Sequence, residues 1–247
     1  PRHGYRFVAD VAPLEAVGGQ SSPTEAASPT GVVSAIVAGT LGAAAAGLIV
    51  GIVYGLFSAG TVQQGGSAMS GVLVLMLVCA LSAAVGGMGI AAGIALTRRV
   101  VAATPGWLVA GGALGGLITG AFAQSLGRDA FQLLTGSGPL AMAGALDGTL
   151  LGAATGLALW IGDRAGGRGP LPVLVSGVTG AIAGVATVIL GGAMMAGSLQ
   201  GLSTAFPASR LGALPIGAPF DPLLGAFEGA LFVTGVAIGL RRLRRDR

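Results

Sequence analysis

Long apolar stretches, nearly free of charged residues, constrain the fold of this chain more than any other feature of its sequence. A helix needs about 20 largely apolar residues to cross the hydrocarbon core of a bilayer, and most of these stretches approach or exceed that length. In lipid, only a helix or a closed barrel satisfies its own backbone polar groups. We therefore predict six membrane-spanning helices, at about 31–57, 69–96, 107–122, 140–161, 171–197 and 222–240.

The composition agrees with an all-α membrane protein and argues against a soluble enzyme. Charged residues make up 9% of the chain, against about 25% in a typical soluble domain. The single cysteine, Cys79, allows no intrachain disulfide and no cysteine-based metal site, and we interpret it as a small buried apolar residue. The one histidine is His3, and no nucleophile elbow or phosphate-binding loop occurs. We expect no enzymatic activity, no cofactor and no bound metal.

The placement of arginine predicts the orientation of the spans. All 13 basic residues are arginine, and short cytoplasmic loops accumulate such residues. Six spans with a cytoplasmic start leave only Arg128 and Arg210 on the outer side. We therefore predict a multi-pass protein of the bacterial inner membrane with both termini in the cytoplasm. An alternative with four long helices and re-entrant segments stays open. The predicted cytoplasmic set is Arg2, Arg6, Arg98, Arg99, Arg164, Arg168, Arg241, Arg242, Arg244, Arg245 and Arg247.

Glycine recurs at four-residue spacing within the apolar stretches, and the chain has 47 glycines in all. Residues four apart lie on one helix face, and small residues on such a face allow the close packing that holds membrane helices together. We interpret these glycines as packing sites; the alternative is that thin interfaces let the helices slide, and homo-oligomerisation also stays open. The predicted packing glycines are Gly47, Gly51, Gly55, Gly112, Gly116, Gly120, Gly144, Gly148, Gly152 and Gly156.

The stretches also resemble one another, which predicts three repeated helical hairpins. Gly-Thr-Leu-Gly at 39–42 in the first stretch corresponds to Gly-Ala-Leu-Gly at 112–115 in the third. In the second helices of hairpins two and three, Gly-Ala-Leu-Asp-Gly at 144–148 corresponds to Gly-Ala-Phe-Glu-Gly at 225–229.

Asp147 and Glu228, the acids in those matching segments, are candidates for a proton or ligand site. At about 1.5 Å per residue they are expected roughly 12 Å and 9 Å into their helices. An ionised carboxylate at depth costs at least about 2.5 kcal/mol, and no basic residue is expected at that level. One interpretation is a hydrogen-bonded or proton-sharing pair. The other is that each acid caps a helix broken near the interface, or contacts water at the outer rim.

The first residues, Pro-Arg-His-Gly-Tyr-Arg-Phe-Val-Ala, resemble the closing hairpin of the winged-helix DNA-binding domain of OmpR-type regulators and their membrane-bound relatives, the CadC and ToxR group. The resemblance implies that Gly4 lies at the turn of the wing and that Tyr5 and Phe7 pack into the domain. It also implies that Arg2 and Arg6 face DNA phosphate or solvent. His3 departs from the commoner Arg or Gly. From the residues alone, the segment predicts a short alternating strand.

The resemblance implies a domain order. Residues 1–11 are the β-hairpin remnant of a winged-helix domain, 12–30 form a disordered linker, and 31–247 form the membrane domain with a basic tail. The chain lacks an initiator methionine, and we expect the rest of the winged helix upstream. Well-known members of the family cross the membrane once and carry a periplasmic sensor, so six spans are a departure.

Three functions follow as hypotheses. The first is the anchor and sensor domain of a membrane-bound transcriptional regulator, with promoter DNA as the partner of the upstream domain. The second is a small proton- or cation-coupled transporter or channel built from repeated hairpins. The third is an anchor or oligomerisation module alone. The stimulus or ligand is not identifiable from sequence. Anionic membrane lipids are the expected partners of a basic cluster at the C-terminus, formed by Arg241, Arg242, Arg244 and Arg245.

Overall fold

A computed structural model describes residues 29–61, 68–101, 104–136, 144–166, 169–205 and 221–245. Regular structure in these ranges is entirely helical, and six segments are long and apolar enough to cross a membrane. The predicted hairpin at 1–11 and nearly all of the predicted linker lie outside the described residues. The helices are α1 (Pro29–Thr61), α2 (Ala68–Val100), α3 (Pro105–Thr135), α4 (Ala145–Arg164), α5 (Leu171–Ile189), α6 (Met194–Ala205) and α7 (Asp221–Arg245).

Helix α3 is longer than its sequence predicts. It was expected to end near 122, with an outer loop following, but it continues to Thr135 and ends where Gly136 adopts a left-handed conformation with φ of 73°. The amide of Gly136 donates to the carbonyl oxygen of Gln132, which closes the last turn. No proline interrupts 106–135, so nothing stops the helix earlier. Residues 126–134, which lie beyond the predicted end of the span, therefore belong to α3.

The predicted fifth span is wrong as a single helix. It is divided into α5 and α6, and the second part continues to Ala205, beyond the predicted end. Other ends also differ by a few residues: α1 begins at Pro29, α4 begins at Ala145, and α7 extends to Arg245.

The spans pack in a closed ring in chain order. Each one contacts the span before and after it, and α7 completes the ring by packing on α1. The most extensive contacts join α1 with α2, α3 with α4, and α5 with α7, so consecutive spans pair as hairpins. Common descent of these hairpins stays a prediction. The main core holds Ile90, Ile94, Leu159, Val233 and Val236, which are fully buried between the helices.

Glycines form the seam between α3 and α4. Gly112 faces Gly152, Gly116 faces Gly148, and Gly120 faces Gly144, in antiparallel register. A methyl group at five of these positions would overlap a backbone carbonyl of the facing helix, and at Gly144 it would overlap the side chain of Gln124. The two backbones are therefore in direct contact, which is the close approach that small residues permit in lipid. Gly156 extends the same seam to the carbonyl of Leu108.

Comparable seams join the other hairpins. On α1, a Cβ at Gly47, Gly51 or Gly55 would collide with the backbone of α2. On α5, Gly180 and Gly184 lie against α7 in the same manner. All three hairpins are thus held by backbone contact along a glycine face.

Charged groups gather at one end of the bundle. Arg98 of α2 pairs with Asp163 of α4 at 3.4 Å, and the guanidinium of Arg164 lies 4.2 Å from the centre of the Trp160 ring. The start of α1 is at this end too, because Gly239 near the end of α7 packs against the carbonyl of Ala38.

Arg241 points inward rather than toward lipid. Its guanidinium donates to the carbonyl oxygens of Ala158 at 2.7 Å and Pro172 at 2.8 Å, and it lies against Gly162. It therefore ties α7 to α4 and α5. Arg241 was predicted to belong to a lipid-facing cluster, but its guanidinium instead donates to backbone carbonyl oxygens of α4 and α5.

Replacing Arg241 by methionine is expected to lower the free energy of unfolding by about 2–3 kcal/mol, since hydrogen bonds from a charged group contribute about 1.5–3 kcal/mol each. The matched control is Arg242→Met, because Arg242 is exposed one residue further along α7. Unfolding in detergent micelles measures both. Equal losses in the two variants would contradict the inward role of Arg241.

Candidate functional site

The interruption between α5 and α6 is the most unusual feature of the spans. Helix α5 ends at Ile189, and the chain resumes a helix at Met194. Gly191 has φ of 84°, and the amide of Gly192 donates to the carbonyl of Thr187 at 2.8 Å, which closes the end of α5. The first amides of α6 consequently have no partner within their own helix, and inside a membrane they require one.

Asp147 supplies one of these partners. Its Oδ1 accepts from the amide of Met194 at 2.8 Å, and its Oδ2 accepts from the amide of Gly144 at 2.7 Å. The side chain is buried. Asp147 lies in the first turn of α4, which begins at Ala145, so the expected depth of roughly 12 Å, or about two turns, within its own helix was wrong. One carboxylate thus caps α4 and α6 together.

Glu228 supplies the remaining partners. Its Oε2 accepts from the amide of Met195 at 2.7 Å, and its Oε1 accepts from the amide of Ala196 at 2.8 Å. The hydroxyl of Tyr54 on α1 also donates to Oε1. Glu228 and Tyr54 are both buried. This carboxylate therefore connects α1, α6 and α7.

We call Asp147 and Glu228, together with the first amides of α6, the carboxylate clamp. Of the two interpretations of the acids, the observed hydrogen bonds match capping of a broken helix: every group that the described residues direct at the carboxylates is a donor. The positive end of the helix dipole also favours negative charge there. Among the described residues, the only ion pair is Arg98–Asp163, so no basic side chain neutralises the clamp.

Apolar side chains surround the Tyr54 side of the clamp. Val50 and Leu75 pack there with Leu199 of α6 in a separate buried cluster. Cys79 belongs to the same cluster and is 1% exposed. Water is thereby kept from the Tyr54–Glu228 bond, which strengthens it electrostatically.

Tyr54 was not among the residues that the sequence singled out. The available signal was that it is one of two tyrosines in the chain and that it lies within an apolar stretch. A buried tyrosine hydroxyl generally needs a hydrogen-bonding partner, so its presence there pointed to a polar group at the same level. Which group that was depends on the packing of α1 against α7, which the sequence does not reveal.

Of the other candidate residues, Gly144 contacts the clamp directly, because its amide donates to Asp147, and Gly120 packs against Gly144. The winged-helix motif, with Gly4, Tyr5, Arg6 and Phe7, lies outside the described residues. Of the basic cluster, Arg242 is exposed at the end of α7, and the helix continues through Arg244 and Arg245.

Comparison with protein-family models, with curated proteins and with solved structures finds no match to this chain. Function therefore has to be inferred from the geometry of the clamp and from the motif at residues 1–9.

Proposed function

We propose that residues 31–247 are the anchor and sensor domain of a membrane-bound transcriptional regulator in the bacterial inner membrane. Its partner is promoter DNA, bound by a winged-helix domain that ends near residue 11. Both termini lie in the cytoplasm, where the DNA is. The motif Pro-Arg-His-Gly-Tyr-Arg-Phe at 1–7 carries this proposal.

The position of α1 supports a DNA-binding domain on the cytoplasmic side. The start of α1 shares one end of the bundle with Arg98, Asp163 and Arg164, through its contact with the end of α7. Arginine-rich ends of membrane helices favour the cytoplasmic side. A DNA-binding domain joined to α1 through residues 12–30 would then lie in the compartment that contains its target.

The clamp gives the sensor domain an element that can have two arrangements. Helix α6 is held at its start by polar contacts to two carboxylates and by the burial of Met194 and Ala196, whereas the hairpins are held by continuous backbone seams. The Tyr54 hydroxyl bonds one of these carboxylates, so rearrangement of α6 acts directly on α1. In this proposal a stimulus biases the clamp, and α1 transmits the change to the linker and the DNA-binding domain.

The experiment uses the chain with its native upstream sequence and a reporter gene under its own promoter. Asp147→Asn and Glu228→Gln each weaken the clamp, and about 1.4 kcal/mol would change a two-state equilibrium about tenfold. We expect both variants to alter reporter expression at equal protein abundance. Asp129→Asn is the control, because Asp129 is an exposed acid on α3. Failure of the upstream-extended protein to bind duplex DNA would refute the proposal.

The broken helix favours a second candidate, a proton- or cation-coupled transporter. Transporters form their substrate and ion sites at interrupted helices near the middle of the bilayer, and acids within spans often mark proton paths. If this candidate is correct, the protein reconstituted in vesicles transports protons or cations. Asp147→Asn and Glu228→Gln should each reduce that flux. Vesicles without proton or cation flux at any pH would eliminate it and leave the regulator.

A further inference from the structure

A cavity of about 380 Å³ lies beside the broken helix. Its walls come from the end of α5, from α6 and from the start of α7, and include Val188, Ala193, Met194, Gln200, Asp221 and Gly225. This volume lies within the range of sites that hold small organic molecules. The cavity lies beside the clamp and shares Met194 and Ala196 with it.

Asp221 gives the cavity a negative acceptor. It is the first residue of α7, and its Oδ1 atom is buried yet accepts no hydrogen bond from the described residues. A buried acceptor without a donor is unfavourable. Asp221 lines the cavity, so a rotation of its side chain toward the cavity would let a ligand supply that donor. The carboxylate favours a cationic donor and repels an anion.

The rest of the cavity is mostly apolar and contains free space. Val188 and Met194 contribute apolar side chains, and four glycines contribute only backbone. At Gly197 an added Cβ would contact only the Cβ of Ala193, at 3.4 Å. A ligand that fits would therefore pair a charged head with a short apolar body.

We propose that this cavity binds a small amphiphilic cation of the primary alkylammonium class. The ammonium group donates to Asp221 Oδ1, and the alkyl chain lies along Val188 and Met194. This deepens the proposed function, on which it rests for its regulatory meaning, by naming the class of stimulus. Because the amide of Met194 donates to Asp147, a ligand against Met194 acts next to the clamp.

The test measures binding of hexylammonium chloride to the full chain in lipid nanodiscs by isothermal titration calorimetry, with empty nanodiscs subtracted. We expect saturable binding, and weaker binding of hexanol and of hexanoate. Asp221→Asn should weaken hexylammonium binding at least about tenfold, as expected for loss of a charged hydrogen bond. Asp129→Asn, which makes the same charge change outside the cavity, should bind as the parent does.

Gly197→Leu provides an independent variant, since it fills the cavity without altering charge. It should abolish hexylammonium binding, and it decides the matter if Asp221→Asn does not fold. No saturable binding to the parent, or equal binding by the parent, Asp221→Asn and Gly197→Leu, would overturn the proposal. Binding that follows these expectations while hexylammonium leaves reporter expression unchanged would support the cavity and count against the regulatory function, so the two failures are distinguishable.

Discussion

Replacing Glu228 by alanine is expected to lower the free energy of unfolding by about 3–5 kcal/mol, because each buried donor left without a partner costs about 1–3 kcal/mol. The substitution removes the acceptor of three donors, the hydroxyl of Tyr54 and the amides of Met195 and Ala196. Water that enters the space would recover part of the loss. Unfolding in detergent micelles, followed by helical circular dichroism, measures the change.

Two comparisons make this prediction specific. Glu228→Gln keeps one acceptor oxygen and should lose less than Glu228→Ala does. Asp129→Ala removes an exposed acid from α3 and should change stability by no more than about 0.5 kcal/mol. If Glu228→Ala were as stable as Asp129→Ala, the carboxylate would not be holding α6.

Replacing Gly116 by alanine should destabilise the protein by about 3 kcal/mol or more, the upper range for overpacking of a close-packed site. Its Cβ would overlap the carbonyl oxygen of Gly148 on the facing helix. Relief requires that α3 and α4 move apart, which opens the seam above and below the substituted residue. The same unfolding measurement applies.

Gly71→Ala is the matched control for that substitution. Gly71 also lies within a helix, on α2, but nothing is within 4 Å of a Cβ added there. Alanine has a higher helix propensity than glycine by about 1 kcal/mol, so this variant should be unchanged or slightly more stable. Losses of equal size at both positions would mean that the seam does not depend on backbone contact.

The membrane spans and their glycines were accessible from sequence because each depends on a local pattern. Apolar length predicts a span, and spacing by four predicts a glycine face. Gly112, Gly116 and Gly120 were predicted to share such a face, in a hairpin with the next span, and the structure adds which residues of α4 they oppose. The register was not predictable, because each glycine face could pair with several others.

The break between α5 and α6 could not be inferred from its own residues. It contains Gly191 and Gly192, but adjacent glycines also occur at 86–87, 111–112 and 115–116 inside unbroken helices. What differs is the surroundings, since the break faces acceptors on α4 and α7 that satisfy the amides of α6. Capping by a remote residue is a tertiary effect, and a sequence shows only the acids and not what they cap.

The start of α4 was also not predicted correctly from its own residues. Pro139 suggested a helix from about 140, which placed Asp147 well inside a span, whereas the helix begins at Ala145. The acid then serves as an end group of its own helix and of α6. Glu228, in the corresponding segment of α7, lies two turns from its helix start at Asp221, so matching flanks did not give the two acids the same position in their helices.

The clamp holds the backbone of Met194 in an unfavourable conformation. Its φ of 44° places a residue with a side chain in the left-handed region, at a cost of about 1–2 kcal/mol. The hydrogen bond from its amide to Asp147 exists only while that conformation is held. Opening the clamp would let the backbone of Met194 relax to an ordinary conformation. The strain therefore offsets part of the stabilisation that the hydrogen bonds of the clamp provide, and it lowers by that amount the free energy needed to separate α6 from its two acids.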